Sequence, residues 1–268
     1  MNTGFKNILL PFDGSEQSIV ALNSAIFFTK TYNAQLSIIH IEEKFSDTEI
    51  KDLIDKNAQG ISYHFFQKQG KPFKMIIEKA KKISADLIIM GTHGVSGFEE
   101  FWMGSNTYRV VCTAKCPVLS MRENIHHNDF KSIVLPIDTS FESRQKIPFA
   151  IHLAKQFGAT IHVIGVSVDK DKESEHLIDT YARQAIQSIE SHQVKHTFEK
   201  QLGGNITLST IDYAKSIDAD LIIVMTEQEI RLGSFFLGKF AQQMVNHSSI
   251  PVISISPRED LMVTDARL

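Results

Sequence analysis

The feature that most constrains the fold is an internal repeat in this chain of 268 residues. Three pairs of segments recur in the same order: Asn7–Ser15 and Ser132–Ser140, Ala85–Ile89 and Ala219–Ile223, and Cys116–Ser120 and Ile250–Ser254. Self-similarity of this kind indicates duplicated structural units, and the length agrees with two domains of ordinary size. We therefore predict two related domains, residues 1–127 and 128–268, with the seam in the polar stretch Glu123–Asp129.

Each half alternates short apolar runs with amphipathic stretches. The run Ile8–Phe12 is continuous and apolar and is stopped by Asp13 and Gly14, as is typical of a buried strand. Five strands are predicted in each half, at Ile8–Phe12, Leu36–Ile41, Ile61–Gln67, Asp86–Met90 and Val118–Met121, and again at Ile133–Ile137, Thr160–Val166, Lys195–Gln201, Leu221–Met225 and Val252–Ser254. Strands that alternate with helices indicate parallel sheets covered on both faces. The predicted fold class is α/β, with two tandem doubly wound five-stranded parallel-sheet domains.

The composition excludes several classes of protein. Hydrophobic residues make up 43% of the chain and charged residues 22%, which argues against intrinsic disorder. The net charge of -3 offers no bulk basic surface for nucleic acid, and the two cysteines are too few for a disulfide framework. No apolar stretch approaches the ~18 residues of a membrane span, and the N-terminus lacks the apolar segment of a secretory signal. We expect a cytoplasmic protein with neither nucleic acid nor membrane as a partner.

A glycine-rich segment follows the fourth predicted strand. It opens with Gly91-Thr92-His93-Gly94, and Gly104-Ser105 stands where the next helix begins. Glycines let backbone N–H groups approach an anion, and a helix N-terminus favours phosphate. The segment is neither a P-loop, which needs a lysine after its last glycine, nor the dinucleotide fingerprint, which follows the first strand. The residues alone therefore predict a site for a polyphosphate.

The spacing of these glycines also carries a family resemblance. Gly91, Gly94, Gly104 and Ser105 match the Gly-x2-Gly-x9-Gly-Ser signature of the universal stress protein family, which the chain resembles over nearly its whole length as two tandem copies. The resemblance implies a fold of the adenine nucleotide alpha hydrolase type, a role in stress response, and an ATP site in any copy that keeps the signature. It also implies that the two halves pair through their last strands as a pseudo-dimer, and it leaves a homodimer of whole chains open.

The resemblance implies specific nucleotide contacts. Carried onto this chain, they are Pro11, Phe12, Asp13, Ile41, Met90, Gly91, His93, Gly94, Gly104, Ser105, Asn106 and Thr107. Asp13 would hydrogen-bond the nucleotide, and Ile41 would meet the adenine. Met90 and Gly91 would flank the ribose and the base, while the residues from His93 onward would surround the phosphates. Only the phosphate assignment also follows from the residues themselves.

The second half departs from the signature. Its substitutions are Met225 at the position of Gly91, Gln228 at that of Gly94 and Lys239 at that of Ser105, while Gly238 is kept. Side chains thus stand where backbone would approach phosphate, and Glu227 and Glu229 add repelling charge. We expect ATP, with Mg²⁺ left open, in the first half alone and a structural second half. A different small ligand near Arg231 and Lys239 stays an alternative.

The sequence is compatible with three functions. The first is a regulatory protein that binds ATP, the second is a slow ATPase or an enzyme for an adenylated substrate, and the third is an interaction protein with a vestigial site. No nucleophile with a base, no pair of acids and no metal-ligand cluster stands out, which favours the first function. We assign no catalytic residue and no metal ligand. Cys112 and Cys116 lack the spacing of a redox or zinc pair, so packing is their expected role.

Overall fold

The computed structural model describes residues 4–41, 47–58, 60–92, 104–122, 129–226, 228–231 and 234–257. The chain divides into two compact units, residues 1–128 and 129–268. Each unit alternates strands and helices around five parallel strands, which confirms the predicted α/β fold class. Within the described residues, no helix is long and apolar enough to cross a membrane.

The first unit follows the predicted alternation closely. Its elements are β1 (Asn7–Pro11), α1 (Glu16–Tyr32), β2 (Gln35–Ile41), α2 (Asp47–Asn57), β3 (Tyr63–Lys68), α3 (Pro72–Lys82), β4 (Leu87–Gly91), α4 (Ser105–Thr113) and β5 (Val118–Met121). Across the sheet the strand order is β3-β2-β1-β4-β5, with every neighbouring pair parallel. The apolar run Ile8–Leu10 of β1 is fully buried because helices cover both faces of a central parallel strand.

The second unit repeats this plan. Its elements are β6 (Ser132–Ile137), a 3-10 helix (Glu142–Arg144), α5 (Ile147–Phe157), β7 (Thr160–Ser167), α6 (Lys172–Ser191), β8 (Lys195–Leu202), α7 (Ile206–Ser216), β9 (Leu221–Met225), β10 (Gln228–Arg231), β11 (Ser234–Leu237), α8 (Lys239–His247) and β12 (Val252–Ile255). The order of the parallel strands is β8-β7-β6-β9-β12. The antiparallel hairpin of β10 and β11 was not predicted from the sequence.

One repeated aspartate explains part of the internal repeat. The Asp86 carboxylate accepts hydrogen bonds from the backbone N–H groups of Lys6 and Asn7, at 2.8 and 2.9 Å. Asp220 accepts the equivalent bonds from Lys131 and Ser132, both at 2.8 Å. Each aspartate precedes the fourth strand of its sheet and holds the start of the first strand, so the Ala-Asp-Leu-Ile-Ile motif sets the alignment of the two central strands.

Candidate functional site

The strand order of the first unit places a crevice between the ends of β1 and β4. The chain builds the sheet outward from β1 to β3 and then returns across it to β4. Loops that leave β1 and β4 therefore run to opposite faces, and ligands of such folds bind where the loops separate. The residues at these two carboxyl ends are Phe12 and Asp13 after β1, and Gly91 and Thr92 at the end of β4. Three of these four residues, Phe12, Asp13 and Gly91, are among the predicted nucleotide contacts.

Asp13 is held by a tight polar turn. Its Oδ1 accepts hydrogen bonds from the backbone N–H of Ser15 at 3.0 Å and from the Ser15 hydroxyl at 2.6 Å. The Ser15 Oγ in turn accepts the backbone N–H of Ser18 and so caps α1. Asp13 is exposed at the mouth of the crevice. The turn thus fixes the direction of an exposed carboxylate beside the first turn of a helix.

A buried histidine supports the same loop and was missed by sequence reasoning. His40, next to last in β2, is buried, and its Nδ1 lies 2.9 Å from the carbonyl oxygen of Phe12. Because a carbonyl only accepts, Nδ1 is the donor in this bond. The Phe12 side chain is itself buried, so Phe12 faces the core while its backbone joins β1 to Asp13. A histidine near the end of the mainly apolar predicted strand Leu36–Ile41 is the signal that could have revealed this support.

Gly91 has a packing reason to be glycine that is separate from any ligand. A Cβ at this position would lie 2.4 Å from the carbonyl oxygen of Gln17 and 2.8 Å from the backbone nitrogen of Ser18. Both atoms belong to the backbone of the first turn of α1, which cannot give way as a flexible side chain would. The missing side chain therefore lets the helix approach the end of β4.

The start of α4 has backbone N–H groups that the helix itself does not bond. Gly104 is the N-cap and makes no side-chain capping bond, and the first turn of α4 contains no acidic residue. A Cβ on Gly104 would meet no atom of the residues that the structure describes within 4 Å. Ser105 is exposed, Asn106 is half-buried and the side chain of Thr107 is buried. A helix of a right-handed crossover begins at the carboxyl edge of its sheet, so this N-terminus opens at the same edge as Asp13.

The remaining predicted contacts fall at strand ends or outside the described residues. Ile41 ends β2 and Met90 precedes the last residue of β4, and both side chains are buried. Pro11 ends β1 and is half-buried. His93 and Gly94 lie outside the described residues. Among the residues that are described, no group of three or more His, Cys, Asp or Glu side chains is arranged to hold a metal ion.

The second unit keeps two features of this arrangement. Asp138 Oδ1 accepts the backbone N–H of Ser140 at 2.7 Å, which repeats the turn of Asp13. Gly238 is the N-cap of α8, with φ -56° and ψ 149° against -51° and 139° at Gly104. Neither cap makes a side-chain hydrogen bond. The retained third glycine of the signature therefore has the same backbone form in both units.

The two units differ at the end of the fourth strand and at the start of the first helix. Met225 replaces Gly91, and its side chain is buried. The 3-10 helix Glu142–Arg144 packs against β6 and β9, and α5 starts only at Ile147, which aligns with Leu22 inside α1. Since a side chain at this position would collide with a helix placed like α1, the later start of α5 goes together with the loss of the glycine.

Lys146, which aligns with Ala21, is fully buried beside this altered helix start. Its Nζ donates a hydrogen bond to the carbonyl oxygen of Ser143. Burial lowers the pKa of Lys146 from 10.5 to about 8, and the nearby Asp138 carboxylate offsets part of that effect. A buried ammonium group is costly unless it is paired. The second unit therefore buries the ammonium group of Lys146 where the first unit has the methyl group of Ala21.

Comparison with known proteins adds to this geometry. A family model described as "Universal stress protein family" matches residues 43–122 and 129–256. A universal stress protein of Methanocaldococcus jannaschii is 31% identical over 141 residues, covering 44% of this chain and 83% of the relative. A universal stress protein of Bacillus subtilis is 28% identical over 148 residues, covering 44% of this chain and 99% of the relative. Each of these relatives matches less than half of this chain.

A solved structure matches most of the length of the chain. The crystal structure of a universal stress protein from Archaeoglobus fulgidus covers 93% of this chain and 98% of its own, with a TM-score of 0.76. Its identity to this chain is 22%, so the likeness concerns the fold.

Proposed function

The chain belongs to the universal stress protein family, and we propose that its first unit binds ATP and that the bound nucleotide regulates contacts with a partner during stress. The second unit serves as a supporting domain without ATP. The nucleotide lies in the crevice between the ends of β1 and β4, with its phosphates on the N-terminus of α4.

The observation that carries this proposal is the open N-terminus of α4 beside an oriented carboxylate. The N-cap Gly104 provides no capping side chain, and a Cβ on Gly104 would meet no described residue within 4 Å. Such donors, together with the positive end of the helix dipole, favour phosphate. Asp13, held by Ser15 at the neighbouring strand end, accepts hydrogen bonds from a ribose hydroxyl. Donors for the phosphates and an acceptor for the sugar thus meet at one edge.

The contrast between the units supports one ATP site per chain. The N-cap glycine of the second unit is unchanged, so this position alone does not separate the units. Met225 and the 3-10 helix alter the crevice between β6 and β9, and Lys146 sits buried at that place. These side chains fill space that the first unit leaves to Gly91 and Ala21.

A role in binding rather than catalysis agrees with the state of Asp13. Its Oδ1 already accepts two hydrogen bonds from Ser15, so the turn uses the carboxylate to orient the loop. The sequence shows no nucleophile with a base and no pair of acids at Asp13, and proton transfer to or from an attacking water needs such a positioned group. We infer that the nucleotide is held rather than turned over.

The experiment is equilibrium binding of ATP to the full chain, followed by chromatography of the nucleotide over time. We expect one ATP per chain and intact ATP after many hours. Steady formation of ADP would favour the slow ATPase, and the lack of any saturable binding would contradict the proposal as a whole.

A further inference from the structure

A cluster of lysines covers the outward face of α3 and the end of β3. The segment Lys68–Lys82 contains six lysines and a single acidic residue, Glu78. Residues three, four or seven positions apart share one face of a helix, and this spacing points the exposed lysines of α3 away from the buried Ile76 and Ala80. At about 1.5 Å of rise per residue, the lysines follow the helix for about 16 Å. We call the six the lysine stripe: Lys68, Lys71, Lys74, Lys79, Lys81 and Lys82.

Lys79 connects the lysines of the helix to the lysine of the strand. Lys79 is only 8% exposed, and its Nζ lies 2.7 Å from the centre of the Phe66 ring in β3. Burial lowers the pKa of the Lys79 ammonium, and the positive charges of Lys82 and Lys68 lower it further. The three ammonium groups are therefore close enough to repel one another, so the charges of α3 and of β3 form one cluster.

In the described part of the chain, no carboxylate forms an ion pair with the stripe. The ion pairs among the described residues all lie in the second unit. Glu78 stands within the stripe but is exposed and pairs with none of its lysines. A concentration of unpaired like charges destabilises a folded chain. A bound anion would remove that cost.

The corresponding helix of the second unit lacks the stripe. The helices α3 and α7 have eleven residues each, and both lie three residues before the repeated alanine and aspartate. Aligned position by position, Lys81 corresponds to Lys215. The other lysines of the α3 segment, Lys71, Lys74, Lys79 and Lys82, correspond to Asn205, Leu208, Tyr213 and Ser216. The same fold thus forms without these lysines, so packing does not explain them.

The aromatic rings beside the stripe are covered by cations. Three phenylalanine rings each have a cation over the ring, namely Phe66 with Lys79, Phe65 with Lys51 at 5.0 Å and Phe73 with Arg109 at 4.8 Å from the ring centre. Proteins that hold single-stranded nucleic acid stack its bases on aromatic side chains. Rings that already carry a cation are poor platforms for bases, so the stripe favours a polyanion without bases.

The surroundings of the stripe also lack apolar anchors. The exposed large apolar side chains that the structure describes all belong to the second unit: Phe141, Val168, Phe198 and Leu208. Protein interfaces depend on buried aromatic and apolar anchors, and a helix that binds a membrane inserts apolar side chains into the lipid. The stripe offers charge without such anchors, which favours a simple polyanion over a protein or a membrane.

We propose that the lysine stripe binds inorganic polyphosphate, a flexible linear polyanion. A lysine ammonium is a compact charge with rotatable donors, so it meets phosphate oxygens without the fixed geometry that an arginine imposes. The polyanion lies along α3, and its charge offsets the repulsion among Lys68, Lys79 and Lys82. No residue of the stripe is a predicted nucleotide contact, and the inference does not rest on the nucleotide proposal.

The test is calorimetric titration of the full chain with long-chain inorganic polyphosphate while ATP is kept at saturation. We expect saturable binding, with a log–log salt dependence whose slope is about -0.7 for each lysine engaged, as for single-stranded nucleic acid. Single-stranded DNA of equal charge should bind at least about tenfold more weakly. Equal or tighter binding of the DNA would assign the stripe to nucleic acid and overturn the proposal. Absence of saturable polyphosphate binding would overturn it as well.

Matched variants locate the site by charge. Lys68→Gln and Lys82→Gln, both at exposed lysines, should each weaken polyphosphate binding about fivefold, which is the effect of one unit charge at about 4 Å in water. Lys155→Gln and Lys215→Gln remove the same charge from exposed positions of the second unit and should leave the affinity unchanged. Equal weakening by both pairs would show a response to net charge alone and would refute the stripe as the site.

A change of Glu78 tests the proposal in the opposite direction. Glu78→Gln removes the one negative charge of the segment and should tighten polyphosphate binding about fivefold. Asp212→Asn removes the exposed carboxylate at the corresponding position of α7 and should have no effect. Circular dichroism checks that each variant is folded. An unchanged affinity in the folded Glu78 variant, or equal tightening by the Asp212 variant, would contradict binding along α3.

Discussion

Gly91 lies so close to the first turn of α1 that a methyl group on its α-carbon would stand 2.4 Å from the carbonyl oxygen of Gln17. This contact joins the end of β4 to the helix that begins beside Asp13. The second unit has Met225 at the same place and begins its helix later. The change from Gly91 to Met225 at the end of the fourth strand thus goes together with a later start of the helix that follows the first strand.

Gly91→Ala should destabilise the first unit by about 2 kcal/mol, because inserted atoms in a close-packed contact cost about 1–3 kcal/mol. Urea unfolding followed by circular dichroism measures the effect. Gly104→Ala is the control, since its new methyl group meets no described residue within 4 Å and should lower the unfolding midpoint far less. Equal stability of both variants would contradict the packing role of Gly91.

Gly104→Val should weaken ATP binding at least about tenfold while the fold is retained, because the added side chain occupies open space at the N-terminus of α4. Calorimetric titration with ATP gives the affinity, and the thermal midpoint reports the fold. Gly238→Val makes the same change in the same backbone form in the second unit and should leave ATP affinity and stoichiometry unaltered. An unchanged affinity in the Gly104 variant would exclude this N-terminus as the phosphate site.

His40→Phe should lower both the stability of the first unit and its ATP affinity. It leaves the buried carbonyl of Phe12 without the donor at Nδ1, which costs about 1–3 kcal/mol. His40→Asn places an amide N–H near the position of Nδ1 and should restore much of the affinity. Denaturant unfolding and ATP titration of both variants make the comparison. Identical affinities of the Phe variant and the original chain would show that the histidine does not position the Asp13 loop.

Lys146→Met should stabilise the second unit by about 3 kcal/mol at pH 7, since a pKa lowered from 10.5 to about 8 by burial corresponds to about that much free energy. The unfolded chain keeps its proton up to about pH 10.5, whereas the folded chain loses it near pH 8. The penalty in the original chain is therefore complete below pH 8 and fades as the pH rises to 10.5. The gain of the variant should fade in the same window.

Unfolding of the Lys146 variant is measured by circular dichroism at pH 7, 9 and 10.5. Lys155→Met, at an exposed lysine of α5, is the control and should show no such change with pH. A gain that is constant from pH 7 to 10.5 would mean that hydrophobic packing, rather than removal of the buried charge, stabilises the variant.

Much of the fold followed from local pattern. Apolar runs stopped by turn residues predicted the ten parallel strands, and the observed bounds differ from the predicted ones by one or two residues at most ends. The hairpin of β10 and β11 escaped prediction because Gln228–Leu237 was read as the counterpart of a ligand loop. The described residues of the predicted site lie at the ends of strands or at the start of α4. Sequence alone could predict this, because the position of a residue within its strand or helix follows from the order of the elements along the chain.

The contacts within the site could not be predicted in the same way. The sequence predicts Gly91 as a nucleotide contact, whereas the packing of its α-carbon against the backbone of Gln17 and Ser18 also requires glycine there. The bond from His40 to Phe12 joins two strands that are 28 residues apart in sequence. Such contacts depend on how helices and strands dock, and no local pattern records that distance.

The sequence by itself determined the duplication, the alternation of strands and helices, and the loss of the glycine spacing from the second half, because these depend on order and periodicity along the chain. Only the tertiary structure decided that α1 packs directly against Gly91, that His40 hydrogen-bonds the carbonyl of Phe12 just before Asp13, and that Lys146 is a buried cation. The physical reason is that the cost of a side chain is set by the atoms around it, and those atoms come from segments far away in sequence.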